Sequence, residues 1–484
     1  MTIVGGGTAG LVSAIIHKRL NPILDITVLE SSEIGIIGVG EGSTEHWAEF
    51  MNMCEIPLSE LIRETDATLK SGIKFVNWLG TNDEYFHSIT PPYGSTFING
   101  VLSLWTCVVA EGLPDSDMCP AHIPHSRFFP GLGAGTFQYH FDTVKLNQYL
   151  HKLCRQRGIT FVDAIVQDVN LDEQGYIDSI KDTQGNSYSA DFFIDASGFS
   201  RVLMKHLGTS WQDCSEYLPM NHALAFPTER EEDIPAFTTA TAANAGWLWR
   251  IPTQERFGNG YVFCDDFITK EQAHEEIETI FGRTIDIARD IKFKAGKISK
   301  IMSKNCAAAG LAAMFVEPLE ASSIGCTIQQ SVALSLVLNN YYKGNTAVED
   351  LHNLQMHKVF DNIIDFIQLH YLTQRNDTDF WKNVEIKLTD FNSNTLDMMR
   401  STGPSEQWFL DGHIMFRNKN WFMVMKGLNL LDRDRITEIW MNQPERARRE
   451  VAEAIRHHRM IGCPIDLTHS HRQQLEVIMQ GKYD

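Results

Sequence analysis

Three glycines near the start of this chain are spaced for binding a dinucleotide. In Thr2-Ile3-Val4-Gly5-Gly6-Gly7-Thr8-Ala9-Gly10, the residues Gly5, Gly7 and Gly10 form GxGxxG between an apolar stretch and the helix-forming Leu11-Val12-Ser13-Ala14-Ile15-Ile16. Gly5 permits the tight turn, Gly7 admits backbone to a pyrophosphate, and Gly10 lets helix and strand pack closely. Thr8 and Ala9 open the helix, whose free N–H groups and partial positive charge face the phosphates. A second strand, Ile26-Thr27-Val28-Leu29, ends at Glu30, where a carboxylate accepts from both ribose hydroxyls. The pattern does not separate FAD from NAD. No second GxGxxG of this quality follows, which argues against a separate nicotinamide domain; if FAD binds, its electrons arrive from outside.

Two later stretches read as returns to the nucleotide unit. Phe192-Phe193-Ile194-Asp195-Ala196-Ser197-Gly198 is an apolar strand ending in a polar turn, and Ala307-Ala308-Ala309-Gly310-Leu311 runs into Glu317-Pro318-Leu319-Glu320. The nucleotide-binding half is therefore discontinuous. Further on, Val359, Phe360, Ile363, Ile364 and Ile367 have the spacing of one packed helix face. The tail from about residue 432 is charged and helix-prone, with the alternating signs of a solvated face.

Composition excludes several classes. A formal charge of −19 disfavours a nucleic-acid partner. No stretch approaches the roughly 20 apolar residues of a membrane span, and the immediate entry into a strand argues against a signal or transit peptide. Nine scattered cysteines without a CxxC pair, and no cysteine/histidine cluster with zinc spacing, indicate reduced thiols, a cytoplasmic location and no metal site.

Four segments together carry a family resemblance. They are Gly38-Val39-Gly40-Glu41-Gly42-Ser43, Ala67-Thr68-Leu69-Lys70-Ser71-Gly72-Ile73-Lys74-Phe75-Val76-Asn77-Trp78, Gly246-Trp247-Leu248-Trp249-Arg250-Ile251-Pro252, and Phe315-Val316-Glu317-Pro318-Leu319-Glu320-Ala321-Ser322-Ser323-Ile324. The chain resembles the flavin-dependent halogenases, mainly the tryptophan-halogenase-like branch: these segments are similar to the family's GVGEAT loop, lysine motif, WxWxIP signature and EPLESTGI segment. Weaker echoes at Tyr139-His140-Phe141-Asp142, Gly258 to Phe263, His370-Tyr371 and Phe380-Trp381 extend the likeness over roughly residues 1 to 430.

The resemblance implies an α/β protein. A Rossmann-like FAD-binding domain (GR2, or hydroxybenzoate-hydroxylase, type) would comprise residues 1–90, 145–210 and 295–345. A mixed-sheet substrate lobe would span 91–144 and 211–294, and a mainly helical region, 346–484, would cover the substrate. It implies reduced FAD (FADH2), O2 and a halide ion (chloride, bromide or iodide) as cofactors. FADH2 would come from a separate flavin reductase, with a small aromatic substrate as the other partner; a homodimer stays open. Through a flavin hydroperoxide the halide becomes hypohalous acid, which Lys70 would deliver with Glu320 as the second catalytic group. An isolated lysine is ordinarily a solvated charge, as Lys74 is expected to be unless it snorkels at the core edge. Delivering an oxidant needs an amine rather than a guanidinium, and burial lowers its pKa. Glu320 would orient the oxidant and accept the proton leaving the substrate.

The remaining sites follow in the same way. Beside the glycine motif and Glu30, FAD contacts are expected at Val39, Gly40, Glu41, Val166, Asp195, Leu311 and Ile324. The halide is expected on backbone N–H groups at Ser322 and Ser323. Trp247 and Trp249, two apart on a strand, share a face; they read as a packed pair and as a wall between flavin and substrate. His87, Ile89 and Phe416 would line the substrate pocket.

Departures from the family bear on specificity. Ser322-Ser323 replaces threonine-glycine, which puts the halide pocket in question wherever a positive φ is needed. Ala321 replaces a serine, and Leu11 replaces a tryptophan as packing. The C-terminal aromatics lack the tyrosine pair that holds an amino acid's polar end, so an electron-rich arene other than free tryptophan is expected. A flavin-dependent aromatic monooxygenase and a catalytically silent FAD-binding scaffold are the alternatives; Leu311 after Gly310 lacks the monooxygenase glycine-aspartate pair.

Overall fold

The computed structural model describes residues 1–35, 41–80, 82–89, 104–113, 126–128, 138–409, 414–462, 468–481 and 483–484. Its first sheet has six strands in the order Met302–Ser303, Cys306–Ala308, Phe193–Asp195, Thr2–Val4, Thr27–Glu30, Thr160–Asp163. All neighbours are parallel except the Met302–Ser303 edge. Ile3, Val28 and Ile194 are buried at its centre, as a parallel sheet covered on both faces requires. The helix Thr8–Leu20 packs between this sheet and the long helix Ser322–Tyr341, where Ser13 and Ser331 share a 2.9 Å hydrogen bond.

The second large sheet has seven strands. Their order is Arg289–Lys292, His222–Glu229, Arg256–Phe263, Gly246–Pro252, Thr238–Ala243, Gly72–Val76, Glu84–Ser88. Only the Thr238–Ala243 and Gly72–Val76 pair is parallel, so the sheet is mixed as expected. Gly72–Val76 and Glu84–Ser88, placed from sequence in the nucleotide unit, pair within this seven-stranded sheet. Alternation sends Trp247 and Trp249 into the main core and Leu248 to the opposite face, against Ala273 and Ile277 of the helix Lys270–Phe281.

The C-terminal part is helical, led by Ala347–His370 and Asn418–Gly427. The first of these is buried more widely than a single apolar face. From Asn362 to His370 every residue is buried, polar ones included, because the helix is enclosed by the sheet and the helices that follow. The tail behaves as its charges suggest in part: Arg446 pairs with Glu450 in the helix Glu445–Gly462, while Ala447 and Val451 are buried. Among the described residues, no helix is long and apolar enough to cross a membrane.

Candidate active site

Lys70 ends the strand Thr68–Lys70, an outer member of a three-stranded antiparallel sheet. Gln138–Phe141 is central there and Glu41–Gly42 lies on the far side. Two residues on, the chain joins the large sheet at Gly72, where a Cβ would stand 2.6 Å from the His87 carbonyl oxygen. The Lys70 side chain is buried, and its Nζ donates to the Ser43 carbonyl at 3.0 Å. A Cβ on Gly42 would lie 3.2 Å from that Nζ and 3.5 Å from the Ala321 Cβ, so glycine here lets the amine approach the turn after Glu320. Burial pulls the Lys70 pKa down to about 8, against the opposing pull of Glu320 and Glu45. Lys74, by contrast, pairs with Glu84.

Glu320 sits in the turn before the helix Ser322–Tyr341, between two imidazoles. His87 Nδ1 lies 2.9 Å from both its oxygens, and His370 Nε2 lies 2.9 Å from Oε1. Burial pushes this carboxyl up, but the two histidines outweigh it and hold the pKa at about 2. The site thus combines an amine whose pKa is lowered by burial with a carboxyl whose pKa is lowered by two histidines.

Glu317, three residues earlier, behaves oppositely: burial raises its pKa to about 7. Its Oε1 accepts from Trp247 Nε1 at 3.0 Å and from the Tyr371 hydroxyl, and Oε2 has no partner among the described residues. The indole of Trp247 is therefore anchored. Trp249 lies 6.1 Å from it between centroids, over Gly260 across the strand pair, where a Cβ would meet the ring at 2.2 Å.

The nucleotide motif forms an open cradle. Gly5 adopts φ +122 and Gly10 packs so closely that a Cβ would fall 1.9 Å from the Gly5 carbonyl oxygen. A Cβ on Gly7 would meet nothing within 4 Å, and no side chain caps the helix Thr8–Leu20. Its first N–H groups are thus left for phosphates, which is the fit that FAD requires. The carboxylate of Glu30 stands over Gly6, 3.1 Å from His151 Nε2.

The tryptophan halogenase family model matches residues 1–439. This chain belongs to the tryptophan halogenase family. It is 29% identical over 485 residues to the tryptophan 7-halogenase RebH of Lentzea aerocolonigenes, covering 89% of each protein. It is 30% identical over 427 residues to the 7-chloro-L-tryptophan 6-halogenase KtzR of Kutzneria sp., covering 80% of this chain and 82% of that one. Its fold superposes on BrvH, a flavin-dependent halogenase from Brevundimonas sp. BAL3, with a TM-score of 0.84 and 27% identity over 99% of this chain and 98% of that one. The flavin-dependent halogenases use FADH2, halide and O2, and act on aromatic substrates with a separate flavin reductase.

In this halogenase the residues expected from sequence fall into place unevenly. Lys70 faces the turn after Glu320 across Gly42, while Trp247, beside Trp249, bonds to Glu317 three residues before it. His87 joins them, but its ring is tied by polar bonds: Nδ1 to Glu320, and Nε2 to Asn420 Nδ2 at 3.0 Å. Asp195 shapes its own turn, since its carboxylate accepts from the N–H groups of Ser197, Leu203 and Met204 and from the Ser197 hydroxyl. Ile324, in the first turn of the helix Ser322–Tyr341, is buried, whereas Val166 and Leu311 are half-buried. Ile89 is half-buried, and its N–H donates to Ser71 O at 3.1 Å. Phe416 stacks on Phe366 at 4.2 Å, and Phe366 also meets His87 edge-on at 5.5 Å. Val39 and Gly40 lie outside the described residues; Glu41 is seen as a strand residue opposite Phe141.

Ser322 and Ser323 differ from the expected need for a positive φ. Both open the helix Ser322–Tyr341, and neither has a positive φ; the left-handed residue is Ala321, at φ 52. No side chain caps this helix and its first turn holds no acid. A positive φ is thus not needed at Ser322 or Ser323.

Sequence reasoning missed Glu317, His370, Tyr371 and Phe366 as site residues. The first three stand inside segments that carry the resemblance, and a glutamate flanked by Phe315, Val316 and Leu319 was a readable sign of a buried acid.

Proposed function

We propose that this halogenase transfers oxidised halogen from the Lys70 amine to an electron-rich arene other than free tryptophan. The observation that carries this reading is the buried Lys70 amine, bonded to the Ser43 carbonyl and facing across Gly42 the turn that follows Glu320. When bound, reduced FAD with O2 supplies the oxidising equivalents that convert halide to hypohalous acid. Gly5, Gly7, Gly10 and Glu30 would hold the nucleotide, and the uncapped N–H groups at Ser322 and Ser323 the halide. The Lys70 ammonium donates a hydrogen bond to hypohalous acid, and its neutral form accepts the halogen directly; both forms coexist near the pKa. Glu320 takes the proton that leaves the ring carbon as the carbon–halogen bond forms. The anchored Trp247 and Trp249 separate the substrate from the flavin, so that the small oxidant travels and the oxygen donor does not.

The aromatic wall of Phe366, Phe416 and Trp421 supports an arene, and the missing tyrosine pair speaks against an amino-acid grip. We assign FAD to the unit formed by residues 1–71, 145–210 and 295–345. The seven described cysteines are all free, which supports a reducing, cytoplasmic setting.

The test is a screen of indoles, phenols, anilines and free tryptophan against chloride, bromide and iodide, with FAD, a flavin reductase and NADH. Product should carry halogen in the substituted arene, and Lys70→Ala should abolish it while still consuming reduced flavin. Halogenation retained by Lys70→Ala, or preference for free tryptophan, would overturn the corresponding half of the proposal.

A further inference from the structure

The sheet ladder beside Lys70 keeps its register but not its direct hydrogen bonds. Thr238–Ala243 pairs in parallel with Gly72–Val76, Thr238 opposite Ile73 and Thr241 opposite Val76. The ladder continues backward, with Ser71 N–H donating to Ala236 O at 2.7 Å. Two residues further back, the same register sets Leu69 opposite Ile234. There an imidazole intervenes. Leu69 N–H donates to His471 Nε2 at 2.9 Å, and His471 Nδ1 lies 3.0 Å from Ile234 O. A carbonyl only accepts, so the ring donates from Nδ1 and accepts at Nε2, relaying one hydrogen bond between the two segments.

The imidazole is fixed from behind. His471 is the first residue of the helix His471–Met479, which opens with a capping box between Ser470 and Gln473. His469–Ser470 pairs with Arg127–Phe128, and the His471 ring lies 5.1 Å from that of Phe128. Asp484 receives the Ser59 N–H at 2.7 Å, tying the chain end to the helix just before the Lys70 strand. Leu69 and His471 are both buried. Without the ring, the Leu69 N–H would be left buried and unsatisfied, or the strand would close onto Ile234 to recover a partner. Closure would displace Lys70, the next residue.

We infer that His471 is a positioning residue for Lys70, a wedge whose ring sets the spacing between Leu69 and Ile234 and so the place of the amine. The inference rests on the reading of Lys70 as the halogen carrier. His471 lies beyond residues 1–439, which the family model matches.

Glutamine at this position offers an acceptor and a donor at similar spacing, whereas leucine fills the volume with neither. His471→Gln should keep halogenated product per reduced flavin consumed within about twofold of wild type. His471→Leu should lower that ratio at least about tenfold, since small misplacements of a reacting group are costly. Flavin consumption should persist, with hypohalous acid escaping to a dye in solution. A merely structural role would lower Tm and total activity and leave the ratio unchanged. A wild-type ratio in His471→Leu overturns the inference, as does a His471→Gln ratio as low as that of leucine. If the leucine variant does not fold, amide exchange in the wild-type protein decides: the Leu69 amide should exchange with the opening of the helix His471–Met479. A Leu69 amide still protected after that helix has opened overturns the wedge. Lys70→Ala is run in parallel, because halogenation by that variant defeats the carrier reading itself. An inactive Lys70→Ala with a wild-type ratio in His471→Leu defeats only the wedge.

Discussion

His370 Nε2 lies 2.9 Å from Glu320 Oε1, and Nδ1 of the same ring lies 2.9 Å from the Phe366 carbonyl oxygen. A carbonyl and an ionised carboxylate can only accept, so this ring donates from both nitrogens when Glu320 is charged. His87 differs. Asn420 Oδ1 takes the Arg417 N–H, which turns its amide toward His87 Nε2 and leaves that nitrogen as an acceptor. Glu320 is therefore held between two imidazoles, one tied to the Phe366 carbonyl and the other to the Asn420 amide.

Replacing His370 should make catalysis sensitive to acid. In His370→Phe, Glu320 loses a donor and stays buried, so its pKa rises from about 2. A carboxylate is lost as pH falls through its pKa, so the ratio of variant to wild-type halogenation should decline on acidification. The decline should deepen toward the acid end of the working pH range. Product formation per reduced flavin across that range checks it, and a constant ratio would remove His370 from the role.

Lys70 should cost the fold stability at neutral pH. Its pKa of about 8 in the folded protein lies below the ordinary 10.5, so the unfolded chain binds more protons between those values. Stability then rises with pH across that window, and below about pH 8 the whole penalty, up to about 3 kcal/mol, is felt. Lys70→Met should be inactive in halogenation yet more stable by about 1–3 kcal/mol at pH 7, with the gap closing above about pH 10. Equilibrium unfolding of both proteins at these two pH values measures the difference; a less stable methionine variant at pH 7 would refute the burial cost.

Gly260→Ala should disturb the tryptophan wall. The added Cβ would meet the Trp249 ring at 2.2 Å, and the ring has the buried core behind it. Overpacking of this kind costs about 1–3 kcal/mol. A lower Tm, altered tryptophan fluorescence and reduced product per flavin are expected together. Wild-type values for all three would mean that the ring shifts freely.

Much of the nucleotide unit was legible because its signals are local. A strand, three glycines, a helix and an acid lie within residues 2–30, and Gly10 packs on Gly5 only five residues earlier. Burial of Lys70 was expected from the segment that contains it. The backbone at Ser322 and Ser323 was not legible, because the left-handed residue could fall at any of three adjacent positions until the turn before the helix was seen.

By itself, the sequence determined the family and the glycine-rich turn, and it singled out Lys70 and Glu320 as the groups to follow. Tertiary structure alone decided which groups surround that pair. His370 lies 50 residues from Glu320, His87 lies 233 from it, and His471 lies 402 from Leu69. No local spacing encodes such contacts. They depend on how a buried helix end, a sheet edge and the C-terminal helix close on one another, and on the need of each buried donor and acceptor to find a partner there.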